Sequence, residues 1–263
     1  MSAPLRVASV GALGRMGERV RTAIADADDV ELTGALESHG HTGLGRKLTP
    51  GVRVVDDAHA AFANAEVVID FSVPRASCAA LRVAADSGVA YVCGTTGFSA
   101  SERADLNAAA ARIPIVWAPN FSVAVHVLTH LVGTAAQLLG PGFDAEIVEL
   151  HHAAKRDAPS GTALHLAEAI AQARGQDLGK VLVTARAGDV GARAAGAIGV
   201  QALRGGDNPG EHSVLFLGRG ERLELVHRAA TRDHFAAGAL RAARWLRGRA
   251  PGLYSMEQVL GIS

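Results

Sequence analysis

Residues Glu149 to Ala163 read ELHHAAKRDAPSGTA, which brings two imidazoles, an amine, carboxylates and a helix start into fifteen positions. A strand-like run, Ala145 to Leu150, delivers His151 and His152, and a polar loop carries Lys155, Arg156 and Asp157 on to Pro159 and Ser160. Pro159 disfavours a helical residue before it and Ser160 is a good N-cap. Gly161, Thr162 and Ala163 then open a helix that runs through Leu164 to Ala173. The free amides of such a first turn, with the positive end of the helix dipole, form a receptor for a carboxylate or a phosphate. A proton donor, an amine and an anion cradle therefore fall together.

A second constellation opens the chain. Leu5 to Val10 is a short apolar run, GALGRMG follows from Gly11 to Gly17, and a helical pattern continues from Glu18 to Ala27. Strand, glycine turn and helix let backbone amides approach a pyrophosphate unobstructed by side chains. The spacing is GxxGxxG, so Leu13 stands where the commoner GxGxxG fingerprint has glycine. The next apolar run, Val30 to Leu36, ends at Glu37, 26 positions after Gly11, against about 20 in the general fingerprint. A carboxylate there can accept both hydroxyls of an adenosine ribose; the plain alternative is a surface carboxylate at a strand end. Ligands of an open parallel sheet gather at the carboxyl ends of its strands. Three further loops there, FSVP at Phe71 to Pro74, CGTTGF at Cys93 to Phe98 and APNF at Ala118 to Phe121, offer amides and hydroxyls suited to a ribose or a carboxamide.

These residues need a scaffold, and the alternation of apolar runs supplies one. After Glu37 come a glycine-rich loop with His39, His41, Arg46 and Lys47, a strand at Val52 to Val55 and a helix near Ala58 to Ala65. Strand Val67 to Phe71, helix Arg75 to Ser87, strand Ala90 to Cys93, helix Ser101 to Ala111 and strand Ile113 to Trp117 follow. Such repetition implies a Rossmann-type, doubly wound parallel sheet covered on both faces. From about Phe121 the pattern changes to a long apolar helix, Val123 to Leu139, and strands near Ala145 to His151, Val181 to Thr184, Gly196 to Arg204, Ser213 to Gly218 and Arg222 to Ala230. The last three, joined by GGDNPGEH and GRGE, read as an antiparallel meander. The expected architecture is α/β: a dinucleotide-binding domain of residues 1–121 plus 232–263, closed by a helix at Phe235 to Arg247, and a second α+β domain of residues 122–231 for substrate binding and oligomerisation.

With 263 residues, 49% hydrophobic, the chain can build well-formed cores. Its 26 basic and 26 acidic side chains cancel, which argues against nucleic-acid or anionic-membrane partners, so the preference for anions is local. The glycine turn comes too soon for a signal-peptide apolar region, and no apolar run reads as membrane-spanning. Cys78 and Cys93 sit in apolar surroundings without metal-ligand spacing, the usage of reduced thiols in a cytoplasmic protein.

GALGRMG, CGTTGF, APNFSV and above all ELHHAAKRDAPSGTA resemble the motifs of the bacterial 4-hydroxy-tetrahydrodipicolinate reductases, also called dihydrodipicolinate reductases, of the diaminopimelate and lysine pathway. The resemblance covers nearly the whole chain in order and spacing, including GGDNPGEH and the C-terminal helix. It implies a homotetramer of two-domain subunits that reduces a cyclic dicarboxylate with NADH or NADPH. Carried over by position, His151 matches the family's proton donor/acceptor and Lys155 its proton donor, while His152, Gly161 and Thr162 match substrate contacts. Gly11, Ala12, Leu13, Gly14, Arg15, Met16, Glu37, Gly94, Thr95, Thr96, Ala118, Pro119, Asn120 and Phe121 match cofactor contacts. Ser38 stands where relatives that use NADPH well often carry Arg.

The chemistry agrees with those roles. A dicarboxylate needs two anion sites; the turn at Gly161 and Thr162 supplies one, and Lys155 with a histidine helps with the other. Hydride addition next to a ring nitrogen leaves an anion that must be protonated, for which Lys155 is the better donor, with His151 free to orient the substrate or shape the field. Blander alternatives stand beside these. Paired histidines ending a strand can be structural, and as metal ligands they lack a third partner at a recognisable spacing. Lys155, Arg156 and Asp157 alone would be a solvated loop, with Asp157 fixing the loop. His126, His130 and His165 fit core or interface positions. Another dehydrogenase on the same plan would have no reason to carry HHAAKRDAPSGTA, and a nucleotide-sensing regulator would have lost the proton donors.

Overall fold

Strands of a parallel sheet covered on both faces read as short continuous apolar runs, and the first part of the chain is built on them. The structure, a computed structural model, describes residues 3–262. It divides into two units: the chain up to Val123 together with the segment from Arg232 onward, and Ala124–Thr231. In chain order the first unit contains β1 (Leu5–Val10), α1 (Arg15–Ala25), β2 (Val30–Leu36), β3 (Lys47–Thr49), β4 (Val52–Val55), α2 (Ala58–Phe62), β5 (Val67–Asp70), α3 (Pro74–Ser87), β6 (Ala90–Cys93), α4 (Ala100–Ala110) and β7 (Pro114–Trp117). The second has α5 (Val123–Leu139), β8 (Asp144–His151), α6 (Gly161–Ala173), α7 (Leu178–Val181), β9 (Leu182–Val183), β10 (Ile198–Arg204), β11 (Glu211–Leu217) and β12 (Arg222–Arg228). The chain then returns to the first unit with α8 (Asp233–Leu246), β13 (Gly252–Tyr254) and α9 (Met256–Leu260).

The first sheet runs β13-β7-β6-β5-β1-β2-β4-β3 and is parallel except for the β3–β4 pair. One face packs on α1, α8 and α9 through Val20, Ile24, Leu240 and Met256, the other on α2, α3 and α4 through Phe62, Leu81 and Leu106. This is the doubly wound architecture expected. Helix α1 starts at Arg15, three residues before the apolar pattern announces it, because Gly14 serves as its N-cap. Two close approaches explain glycines here. A Cβ at Gly17 would lie 2.1 Å from the Gly11 carbonyl oxygen, and one at Gly238 of α8 would lie 1.8 Å from the Phe121 carbonyl oxygen. Gly238→Ala should therefore lower stability by about 1–3 kcal/mol through overpacking, read as a lower urea midpoint at constant slope. An unchanged midpoint would mean that α8 and the Phe121 loop separate freely.

The second sheet is mixed, in the order β12-β11-β8-β10-β9. Strand β8 is central and alternates strictly, with Ala145, Ile147, Glu149 and His151 on the buried face. Ile147, Val200, Val214 and Phe216 form the core with Leu166 and Ile170 of α6 and Leu128, Val132 and Ala136 of α5.

Three expectations need correction. The meander is only a hairpin: β11 pairs antiparallel with β12, whereas β10 lies parallel to β8 on that strand's other side. The connection after β10 wraps the end of β8, since the His152 amide donates to the Asn208 carbonyl at 2.8 Å and the Ala153 amide to that of Gly206 at 3.1 Å. Such a path carries β11 past β8, which a tight two-residue turn could not do. The strand expected at Val181 to Thr184 shrinks to β9, because Asp177 caps a turn of helix, α7, that ends at Val181. Finally, Val123–Gly142 is long and apolar enough to cross a membrane, with a mean hydropathy of 1.4. Its Leu128, Val132 and Ala136 instead pack on the second sheet at four-residue spacing, the stripe of a one-sided surface helix.

Candidate active site

Strand alternation puts Glu149 and His151 on one face of β8, and the loop that follows returns to that face at Ser160. The Ser160 hydroxyl accepts from the Ala163 amide at 3.2 Å, so the helix begins at Gly161 as the spacing predicts. Glu149 is fully buried. Its carboxylate takes both terminal nitrogens of Arg204 at 2.7 and 2.8 Å, His151 Nδ1 at 2.6 Å and the Ser160 amide at 2.9 Å. Burial would raise the Glu149 carboxyl, but Arg204 foremost, with His151 and the Ser160 amide, holds it below the ordinary glutamate range. For His151 the balance goes the other way: burial foremost, with the charges of Lys155 and Arg204, holds the imidazole below its ordinary range against the raising influence of the Glu149 carboxylate. A neutral imidazole beside a charged carboxylate is the resting arrangement.

Lys155 Nζ donates to both oxygens of Asp157 at 2.9 Å, and the lysine side chain is largely buried whereas that of Asp157 is mostly exposed. Asp157 thus pairs with the ammonium, the bond with Lys155 holding its carboxyl low. His152 and Thr162 are half-buried, and Gly161 is exposed with open space where a Cβ would project. The segment therefore offers an ammonium, an imidazole and a side-chain-free helix start within the second unit. Among the described residues no group of three or more His, Cys, Asp or Glu is placed to hold a metal ion.

In the first unit, a cavity of about 280 Å³ is lined by Arg15, Met16, Phe71, Gly94, Thr96, Pro119, Asn120, Phe121, Arg232 and Phe235. It gathers seven of the fourteen residues assigned to the cofactor, from the start of α1, the Gly94–Thr96 loop and the Pro119–Phe121 loop. Gly11 adopts φ +64°, where glycine is favoured, and Gly14 begins α1 with no side-chain cap, so the first turn is open toward a ligand. Glu37 accepts from the Leu13 amide at 2.7 Å and from the Ser38 amide at 3.3 Å, which fixes its carboxylate against the glycine turn. Ala12, Thr95 and Ala118 are buried, and the Thr95 carbonyl accepts from the Trp117 indole at 3.1 Å. Gly94 has to be glycine, as a Cβ would come within 2.1 Å of the Phe71 ring.

Two family models match in succession, "Dihydrodipicolinate reductase, N-terminus" over residues 5–121 and "Dihydrodipicolinate reductase, C-terminus" over 124–260. The chain belongs to the dihydrodipicolinate reductase family. Among its relatives, the 4-hydroxy-tetrahydrodipicolinate reductase of Anaeromyxobacter sp. (strain Fw109-5) is 50% identical, with 98% of each chain covered. That of Myxococcus xanthus (strain DK1622) is 48% identical over the same share of both chains. A solved dipicolinate-bound dihydrodipicolinate reductase from Paenisporosarcina sp. TG-14 has the same fold, with a TM-score of 0.78 at 23% identity over 96% of this chain and 97% of that one.

Membership in the dihydrodipicolinate reductase family leaves several site neighbours that sequence reasoning missed. Glu149 and Arg204 could have been found, since a charged residue on the apolar face of a central strand needs a buried partner. Arg232 carried no signal beyond a basic residue ahead of a helix. His212, opposite Glu149 on β11, is 3% exposed and contacts the His151 ring at 5.2 Å between centroids. His126 is buried in α5, whereas His130 and His165 are exposed, which excludes the core but not the interface placement expected for them.

Burial, followed by His151 and His227, pushes His212 from 6.5 down to about 3. The unfolded chain then binds a proton that the native chain refuses, so the stabilisation from a neutral His212 is complete above pH 6.5 and is lost as pH falls toward 3. His212→Gln should flatten the acid limb of stability by up to about 1.4 kcal/mol per pH unit, read from urea midpoints across that window. Parallel acid limbs for the two proteins would show that His212 is charged when folded.

Proposed function

We propose that this protein is a 4-hydroxy-tetrahydrodipicolinate reductase, using NADH or NADPH to form tetrahydrodipicolinate with loss of water in diaminopimelate and L-lysine biosynthesis. The balance is substrate plus NADH plus a proton giving product, NAD⁺ and water. The observation that carries it is the Glu149–Ala163 segment, in which Lys155 and His151 stand with an open, capped helix start suited to a carboxylate.

The dinucleotide fits the first unit: the Gly11 turn, the uncapped start of α1 and the 280 Å³ cavity leave the backbone clear where a pyrophosphate and a nicotinamide need it. Gly11 to Met16, Glu37, Gly94 to Thr96 and Ala118 to Phe121 would hold it, and its nicotinamide supplies the hydride. Gly161 and Thr162 receive one substrate carboxylate, His152 assists, and Lys155 exchanges Asp157 for the substrate and protonates the anion that hydride addition leaves. Buried free thiols at Cys78 and Cys93 suit the cytoplasm. Half-exposed Val148, Leu150, Leu203, Leu215 and Val226 on the second sheet's outward face suit burial against further copies in a homotetramer. The direct test is loss of NADH absorbance on adding the product of a dihydrodipicolinate synthase reaction; no loss with folded protein defeats the proposal.

Cofactor choice follows from Glu37. Its carboxylate, tied to the Leu13 and Ser38 amides, accepts ribose hydroxyls and repels a 2′-phosphate, a contact worth roughly tenfold at a partly buried site. NADH should be used at least as well as NADPH. Arg15, Arg46 and Lys47 are the rival influence, and a phosphate held by exposed cations weakens in salt. Catalytic efficiency with each cofactor at low and high salt decides between them. An NADPH preference at both would overturn the assignment of Glu37.

A further inference from the structure

A buried carboxylate that satisfies donors from several elements at once sets their mutual geometry. Glu149 does this: it spans His151 on its own strand, Arg204 on β10 and Ser160 at the start of α6. We infer that Glu149 is a positioning residue that holds His151 as its Nδ1–H tautomer, so that Nε2 offers a lone pair to the substrate. The same carboxylate joins that imidazole to the helix turn that receives the substrate's own carboxylate.

The assignment comes from donor and acceptor inventory. An ionised carboxylate only accepts, so the ring nitrogen 2.6 Å from Glu149 Oε2 carries hydrogen. The bidentate Arg204 pair and the Ser160 amide require that carboxylate to be charged. With His151 neutral, Nε2 is left without a proton. The charged and titratable groups facing the ring are Glu149, Arg204 from β10, His212 from β11 and Lys155 from the loop. Arg204, Lys155 and burial all oppose a second proton on it. Nε2 looks toward Gly210, where a Cβ would come within 2.8 Å, and the Gly210 amide is already donated to Asn208 Oδ1 at 2.7 Å. Lys155 is then the donor and His151 the acceptor, which separates two roles that the motif alone leaves merged.

What meets Nε2 rests on the reductase assignment, whereas the tautomer rests on the bonds alone. Nitrogen-15 NMR of histidine-labelled protein, with the resonance assigned through His151→Asn, should show Nδ1 protonated and Nε2 bare at neutral pH. A protonated Nε2 with bare Nδ1 overturns the inference even in an active reductase, and the reading needs no variant of Glu149 to fold. In kinetics, Glu149→Gln should cut kcat by on the order of a hundredfold, as loss of a tautomer-fixing carboxylate does, without changing the KM for NADH. Placed in the His151→Asn background it should cost nothing more, because a residue acting through His151 has nothing left to position. Losses that multiply in the double variant would make Glu149 purely structural.

Discussion

Lys155→Ala should lower turnover by on the order of a hundredfold or more, the usual cost of a lost general acid, while NADH binding stays intact. Lys155 stands between the histidine pair and the helix start along the chain, and Asp157, mostly exposed, is the anion that a substrate carboxylate would replace. Lys155→Arg sharpens the test. It keeps the positive charge but not a proton that leaves readily, so substrate affinity should return while turnover stays low. Near-normal turnover in Lys155→Ala, with cofactor binding unchanged by calorimetry, would remove Lys155 from the chemistry.

Gly161→Val should raise the KM for substrate by roughly tenfold to a hundredfold, the cost of losing one charge-assisted hydrogen bond at about 1.5–3 kcal/mol. No heavy atom lies within 4 Å of the place where its Cβ would stand. The added Cβ therefore meets no atom of the protein, and the branches it carries would crowd what comes to the amides. A melting temperature and an NADH affinity close to wild type should accompany the change. Equal weakening of NADH and substrate would mean that the turn serves the fold and not the substrate.

What could be read before folding depended on how local the cause was. The start of α6 is encoded within five residues, by Pro159, the Ser160 hydroxyl and the Ala163 amide, and it lies where the spacing predicts. The centre of the first sheet was legible for a similar reason, as β5 and β6 are buried on both faces and so show as continuous apolar runs. The partnership of β10 was not. Whether the Gly205–Gly210 connection closes a hairpin or wraps β8 depends on backbone bonds to His152 and Ala153, some fifty residues earlier in the chain. Thr95 illustrates the limit of motif reading: its residue type offers a hydroxyl, yet it is 2% exposed and its carbonyl accepts from the Trp117 indole. Glu149 opens the motif that drew notice first, but its importance comes from Arg204, which no spacing within the motif announces.

The central claim is that hydride passes from a nicotinamide to the cyclic dicarboxylate on this chain. Mass spectrometry of tetrahydrodipicolinate formed with NADH deuterated at the transferable position of C4 tests it most directly. One deuterium per product molecule, matched to one NADH consumed, is the predicted result. Product without deuterium, or no product from folded protein that binds NADH, would contradict it.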